Sequence, residues 1–247
     1  MLEKLYKKSE VWFAVVFILV YVIGNSYLLQ ASERTGIEMV YTIPFNFVIL
    51  GIMFLFIRKN HLFQYYGIQR AKCKAKSVLY YIPLVMIASV NLWMGICFKM
   101  DALHSVVYFV AMIFTGIVEE MLFRGFLLKA MSKDNVKSAV ILTSILFGMG
   151  HIVNLFNGNS DDIVATVCQL FYAAAAGFLL AAVLIVSESI IPCMITHSML
   201  NALGTFSNEA AFDKVQIPVS LALCMIAGAS AYFIYRNYKR EKLGGVD

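Results

Sequence analysis

The stretch Thr115–Phe126, TGIVEEMLFRGF, sets two adjacent carboxylates and a guanidinium inside otherwise apolar sequence. Upstream of it, Val106–Val118 carries no charge, so Glu119 and Glu120 stand at the end of a segment that reads as a membrane span. A charged side chain at the centre of a helix in lipid costs about 2.5–3.5 kcal/mol to insert, a penalty that a partner or a wet cavity must offset. A carboxylate in such a place is a functional-site hypothesis by itself. On a helix of about 3.6 residues per turn, Glu120 and Arg124 are four apart and share a face, whereas Glu119 is turned about 100° away. The spacing predicts a Glu120–Arg124 pair and leaves Glu119 free for general-base work against whatever the other helices bring. The plainer alternative is a snorkelling ion-pair cluster at a helix end.

The rest of the chain places that stretch in a bilayer. Of 247 residues, 61% are hydrophobic and 14% charged, and the mean hydropathy is +0.78. These values point to an all-α, polytopic transmembrane helical bundle. About eight spans are expected: Val11–Leu29, Met39–Ile57, Val78–Phe98, Val106–Val118 continuing to Met131, Ser138–Phe156, Ile163–Val186, Ile190–Phe206 and Ile217–Tyr235. The first is too long for a signal-peptide core and lacks a following A-x-A site, so it is read as an uncleaved span.

Positive charge collects at alternate loops. Lys4, Lys7 and Lys8 precede the first span, the loop 58–77 is basic, Lys129, Lys133 and Lys137 follow the fourth span, and Arg236, Lys239, Arg240 and Lys242 follow the last. The positive-inside rule then places both termini in the cytoplasm and the TGIVEEMLFRGF stretch near the cytoplasmic side. The net charge of +5 reports topology rather than nucleic-acid binding, because the basic residues flank spans instead of forming a stripe. Phe63, Tyr65, Tyr66 and the basic residues of the 58–77 loop suit a lipid headgroup surface. Ala173, Gly177 and Ala181 have the spacing of small-residue helix packing, and the five cysteines lack metal or disulfide spacing.

Other polar groups share the apolar sequence. In ILTSILFGMGHIVNLF, residues 141–156, Phe147 and His151 are four apart, Gly148 and Gly150 remove bulk beside the imidazole, and Asn154 is placed to hold its tautomer. In IIPCMITHSMLNALGTF, residues 190–206, His197 and Asn201 project from one face, and Pro192 kinks or starts the helix. Thr196 and Ser198 lie on other faces, suited to bonding their own helix backbone.

The motifs E-E-x-x-x-R, F-x-x-x-H and H-x-x-x-N, at Glu119–Arg124, Phe147–His151 and His197–Asn201, resemble those of the CPBP family of intramembrane proteases. That family takes in the CaaX prenyl endopeptidases of the Rce1 type and bacterial relatives linked to bacteriocin processing and immunity. The resemblance runs from about Val106 to Phe206, and it implies that Glu119 is the catalytic glutamate, activating a water with His151. It implies further that His197 and Asn201 stabilise the oxyanion and that Glu120 and Arg124 support the site, with no cofactor. The chain then divides into N-terminal transmembrane helices (1–105), a catalytic core (106–206), and a last helix with a basic cytoplasmic tail (207–247).

The implied activity is cleavage of a membrane-associated peptide or protein, whether prenylated CaaX-like, pheromone or bacteriocin-type, by an enzyme in contact with membrane lipid and no nucleic acid. Compact size and the lack of a eukaryotic-style extension favour a bacterial plasma membrane, with the site in a cavity open to the cytoplasmic leaflet. Two alternatives remain open. Glu119, His151 and His197 also supply the two-histidine, one-glutamate set of a catalytic zinc, and the chain could be a non-proteolytic immunity or regulatory scaffold.

Overall fold

The computed structural model describes residues 2–72, 80–156 and 163–242, and among them every regular element is helical. The helices are α1 (Leu2–Lys8), α2 (Glu10–Glu33), α3 (Thr42–Lys59), α4 (Ile82–Ala88), α5 (Ala102–Glu120), α6 (Leu128–Met131), α7 (Val136–Gly150), α8 (Val153–Phe156), α9 (Ile163–Ser187), α10 (Ile191–Leu203), α11 (Glu209–Phe212) and α12 (Gln216–Lys242). A wide π-helical turn, Met121–Leu127, joins α5 to α6 without a break. Cys97, Cys168, Cys193 and Cys224 are free thiols.

Among the described residues, five segments are long and apolar enough to cross a membrane: Glu10–Glu33, Thr42–Lys59, Ala102–Met131, Ile163–Ser187 and Glu209–Arg240. The shortest has 18 residues, which at ~1.5 Å per residue nearly matches a hydrocarbon core of about 30 Å. Large apolar side chains such as Trp12, Ile23, Phe47, Phe171 and Met225 stay exposed, as lipid-facing surfaces require. The chain is a multi-pass membrane protein.

Three of the eight expected spans are not long helices. The described part of Val78–Phe98 holds only α4 and a 3-10 turn at Val90–Leu92, then turns at Gly95 (φ +94°) so that Ile96 bridges Ser207. Its polar run explains the break. Asn91 donates its side-chain N–H to the Leu200 carbonyl at 2.6 Å instead of continuing a helix in lipid. The fifth and seventh segments become α7, of 15 residues, and α10, of 13. Pro192 lies in the first turn of α10, where a missing N–H costs nothing, so it starts the helix rather than kinking it.

Two close approaches set the bundle. A Cβ at Gly116 would lie 2.6 Å from the backbone nitrogen of Ser198, so α5 and α10 meet almost backbone to backbone there. A Cβ at Gly148 would lie 2.6 Å from the Leu170 carbonyl, and one at Gly177 3.1 Å from the Cα of Ser144, which locks α7 to α9. The 173–177–181 stripe therefore serves helix packing as its spacing predicts. Gly148 does so too, and leaves no room for substrate. Ser198 also departs from expectation: its hydroxyl donates to the Ile113 carbonyl at 3.0 Å, clamping α10 to α5, while Thr196 bonds its own helix at Pro192.

The basic residues gather at one end of the bundle, where Lys59 pairs with Glu3, Lys133 with Glu10 and Lys72 with Glu188. In the described part of the 58–77 loop Arg58, Lys59, Arg70 and Lys72 stay exposed, but the aromatic residues do not all face outward. Tyr66 is 2% exposed and packs edge-on against Phe126, with ring centroids 5.0 Å apart. The backbone beyond it is stitched to the turn before α10: Ile190 N–H donates to Gly67 O, Lys72 N–H to Ser187 O and the Ser189 hydroxyl to Gln69 O. Burying the ring against the core removes more apolar area from water than an interfacial position would.

Candidate active site

Glu119 and Glu120 end α5, just before the π turn. The turn widens the helix but keeps the pairing read from the spacing: Arg124 Nη1 donates to Glu120 Oε1 at 2.9 Å, with Glu120 0% and Arg124 1% exposed. Arg124 also lies over the face of Phe147, its guanidinium carbon 4.1 Å from the ring centroid. Such a buried ion pair survives only with further polar contacts. One is His197, whose Nδ1 meets the same Glu120 oxygen at 2.9 Å. An Nδ1–H given to Glu120 leaves Nε2 pointing away from the pair, toward Glu119.

Glu119 has a different environment. Its side chain keeps 18% of its surface exposed, and Oε2 lies 3.6 Å from His197 Nε2, too long for a hydrogen bond. Oε1 accepts the Tyr21 hydroxyl at 3.0 Å. Next to it, Asn46 donates to the Thr115 hydroxyl at 3.3 Å, a second buried polar contact that fixes α3 on α5.

His151 caps the C-terminus of α7 and joins the cluster through Phe147. The Phe147 ring has the His151 imidazole at 5.7 Å and the His197 imidazole at 5.3 Å, both nearly perpendicular to it, and Phe123 at 5.2 Å. One phenyl ring thus sets the positions of two imidazoles and a guanidinium. Gly150 has open space where a Cβ would stand, so of the two glycines beside His151 only this one leaves room. The side chain of Asn154 lies outside the described residues.

Glu119, His151, His197 and Asn201 all line one cavity of about 700 Å³, together with Tyr21, Asn25 and Phe147. Glu120 and Arg124 sit behind its wall. The residues named from the sequence therefore converge from α5, α7 and α10. The sequence reading missed Tyr21 and Asn25 of α2, although two polar side chains four apart in an apolar span are the same signal that drew attention to His197 and Asn201.

The described lining of the cavity extends away from the basic loops. From Glu119 its walls run along Thr115, Met112 and Tyr108 of α5 to Glu33 and Glu38, at the end of the bundle opposite the basic loops. The reason is the packing already described: Tyr66, Phe126 and Ile190 fill the basic end.

The two-histidine, one-glutamate set expected for zinc is not gathered as a metal cluster among the described residues. His197 directs Nδ1 to Glu120, which leaves Nε2 as its one nitrogen facing the cavity.

Residues 101–203 match the family model described as type II CAAX prenyl endopeptidase, Rce1-like. The matched segment runs from the N-cap of α5 to the end of α10 and contains every helix that carries Glu119, His151, His197 and Asn201. No curated protein matches the chain. Over these residues the chain is similar to the Rce1-like CAAX endopeptidases of the CPBP family, which are intramembrane proteases.

Proposed function

We propose that this protein is a glutamic-type intramembrane endopeptidase that hydrolyses a peptide bond of a membrane-associated peptide or protein. The observation that carries it is the contrast at Glu119, a partly exposed carboxylate at the inner end of a membrane-depth cavity, 3.6 Å from an imidazole nitrogen. Glu119 takes a proton from water as the resulting hydroxide adds to the carbonyl carbon. Tyr21 holds one of its oxygens and leaves the other for that water. His151, on the same cavity wall, orients the water. His197, acting as an imidazolium whose Nδ1–H is held by Glu120, gives its Nε2–H to the oxyanion, and the Asn201 amide gives a second N–H. Glu119 then returns its proton to the leaving nitrogen as the C–N bond breaks, releasing a carboxylic acid and an amine, and the acid's proton passes to the amine to leave carboxylate and ammonium.

No metal has a step in this scheme. Substrates of bacterial pheromone or bacteriocin-leader type, in a plasma membrane, suit this reading best, since the mechanism requires a peptide bond at membrane depth and no particular lipid modification.

The test compares membrane peptidomes of cells expressing the active enzyme and its Glu119→Gln variant, followed by cleavage of the accumulating peptide by purified protein in detergent, with and without a chelator. Accumulation in the variant and chelator-resistant cleavage are expected. Loss of cleavage on chelation, with stoichiometric zinc in the untreated protein, would overturn the metal-free scheme, and an unchanged cellular output in the variant would favour a scaffold.

A further inference from the structure

Of the four histidines, His104 stands apart from the cavity cluster, in the first turn of α5. Both of its ring nitrogens are held: Nδ1 lies 2.7 Å from Asp101 Oδ2, and Nε2 lies 2.9 Å from the Gly36 carbonyl oxygen. Asp101 is itself fixed as the N-cap of α5, its Oδ1 accepting the His104 backbone N–H at 3.0 Å. Gly36 belongs to the tight turn between α2 and α3, where φ is +78° at Gly36 and +61° at Met39. The turn has bonds of its own, from Gly36 N–H to Glu33 O and from Ile37 N–H to the Thr35 hydroxyl. Met39 packs beside Leu29 and Ala111 in a small apolar cluster. Among the described residues, the hydrogen bond that joins this turn to α5 is the one made by His104.

A carbonyl oxygen only accepts, and so does an ionised carboxylate, so both contacts hold together only when both ring nitrogens carry hydrogen. The ring is then an imidazolium. A cation in the first turn of a helix opposes the macrodipole, and the carboxylates that offset it are Asp101 on α5 and Glu38 on the turn. Lys99, just before the cap, is engaged by Glu209. Loss of one proton from the ring leaves a lone pair facing either the carboxylate or the carbonyl. The ionised partner keeps its N–H, because hydrogen bonds to charged groups are the stronger, and the Gly36 carbonyl is let go.

We propose that His104 is a proton-operated clasp, tying the α2–α3 turn to the start of α5 when protonated and releasing it when neutral. The order it adds is present at low pH and is lost as pH rises through the titration of His104, in the range where few other side chains change charge. Glu33, Glu38 and Met39 line the cavity that holds Glu119, so the clasp fixes part of that wall in one protonation state and frees it in the other. It rests on the contacts of His104 and not on the proteolytic reading.

Nitrogen NMR of isotope-labelled histidine reads the ring, and amide hydrogen exchange reads the turn, both on the full chain in detergent from about pH 5 to 8. The His104 signals are those lost in His104→Gln. Hydrogen is expected on both ring nitrogens at the acid end and on one at the alkaline end. Protection of the Gly36 and Ile37 amides, corrected for intrinsic exchange, should fall by about threefold to tenfold over the same range. Amides of α9, locked against α7, should not change. His104→Gln should abolish the response of the turn. Asp101→Asn, which still caps α5 but carries no charge, should move the response to lower pH, and it keeps the test open if the first variant misfolds. A ring with a single N–H throughout, beside a turn that stays ordered, overturns the clasp. So does a response of the turn that is absent in the parent, that persists in His104→Gln or that stays unmoved in Asp101→Asn.

Discussion

On one side of α5, Thr115 and Glu119 face the cavity, with Tyr21 and Asn46 reaching them from neighbouring helices; on the other, Gly116 and Glu120 are pressed against α10. The two glutamates are adjacent in sequence. Glu120 is fully buried and divides one oxygen between Arg124 and His197, whereas Glu119 keeps part of its surface open and has only Tyr21 as a hydrogen-bond donor in reach. Side-chain chemistry is identical, so the difference in role comes entirely from which face of the helix each occupies. The packed side builds the fold's polar interior, and the cavity side carries the carboxylate proposed as the base.

Substitutions on the two faces should separate rate from stability. The largest effect is expected from Glu119→Gln, which removes the base but keeps the Tyr21 contact; peptide cleavage should fall by about 10²–10⁴-fold while thermal unfolding in detergent stays within a degree or two of the parent. Glu120→Gln attacks the packed side. It strands Arg124 in the interior and should cost about 3–5 kcal/mol of stability, read as a large drop in unfolding temperature. The double variant Glu120→Met with Arg124→Met should recover most of that stability without recovering activity, because His197 loses the group that orients it. Full recovery of cleavage in the double variant would show that Glu120 does not orient the imidazole.

A smaller effect is expected where no functional group is touched. Gly116→Val drives a side chain into the Ser198 backbone and should cost about 1–3 kcal/mol. Activity should fall more than stability requires, since the α5–α10 distance sets the gap between Glu119 and His197. The smallest change is on the cavity side. Tyr21→Phe removes one hydrogen bond to a carboxylate, worth about 1.5 kcal/mol, and should lower kcat/KM by roughly tenfold with little change in unfolding temperature. If Tyr21→Phe unfolds the protein while Glu120→Gln does not, the two faces have been assigned the wrong way round.

Much of this contrast was legible in the sequence. Four-residue spacing alone paired Glu120 with Arg124 and set Glu119 apart, and the pairing survives a π turn because the guanidinium is long enough to follow its partner. The helical class and the convergence of Glu119, His151, His197 and Asn201 on one cavity were legible for the same reason, since polar groups in apolar helices must face inward. Tyr21 was not, because a tyrosine in a first span reads equally well as an interfacial ring. The direction of the cavity was not either. It depends on how the 60–72 segment folds back beneath Phe126, and the burial of Tyr66 is a tertiary choice that local composition, rich in aromatic and basic residues, argues against. The third expected span failed through Asn91 and Gly95, whose preference for turns outweighed the apolar residues around them.

The helices that carry His151 and His197 have only 15 and 13 residues, so each rises about 20 Å where the surrounding hydrocarbon is about 30 Å thick. Lipid beside them must thin or give way to water to match that height, while the longer α2, α9 and α12 fit an ordinary bilayer. On the proteolytic reading proposed above, a thinned bilayer beside α7 and α10 would bring water to His151 and His197, and long, saturated acyl chains would slow turnover by opposing that thinning.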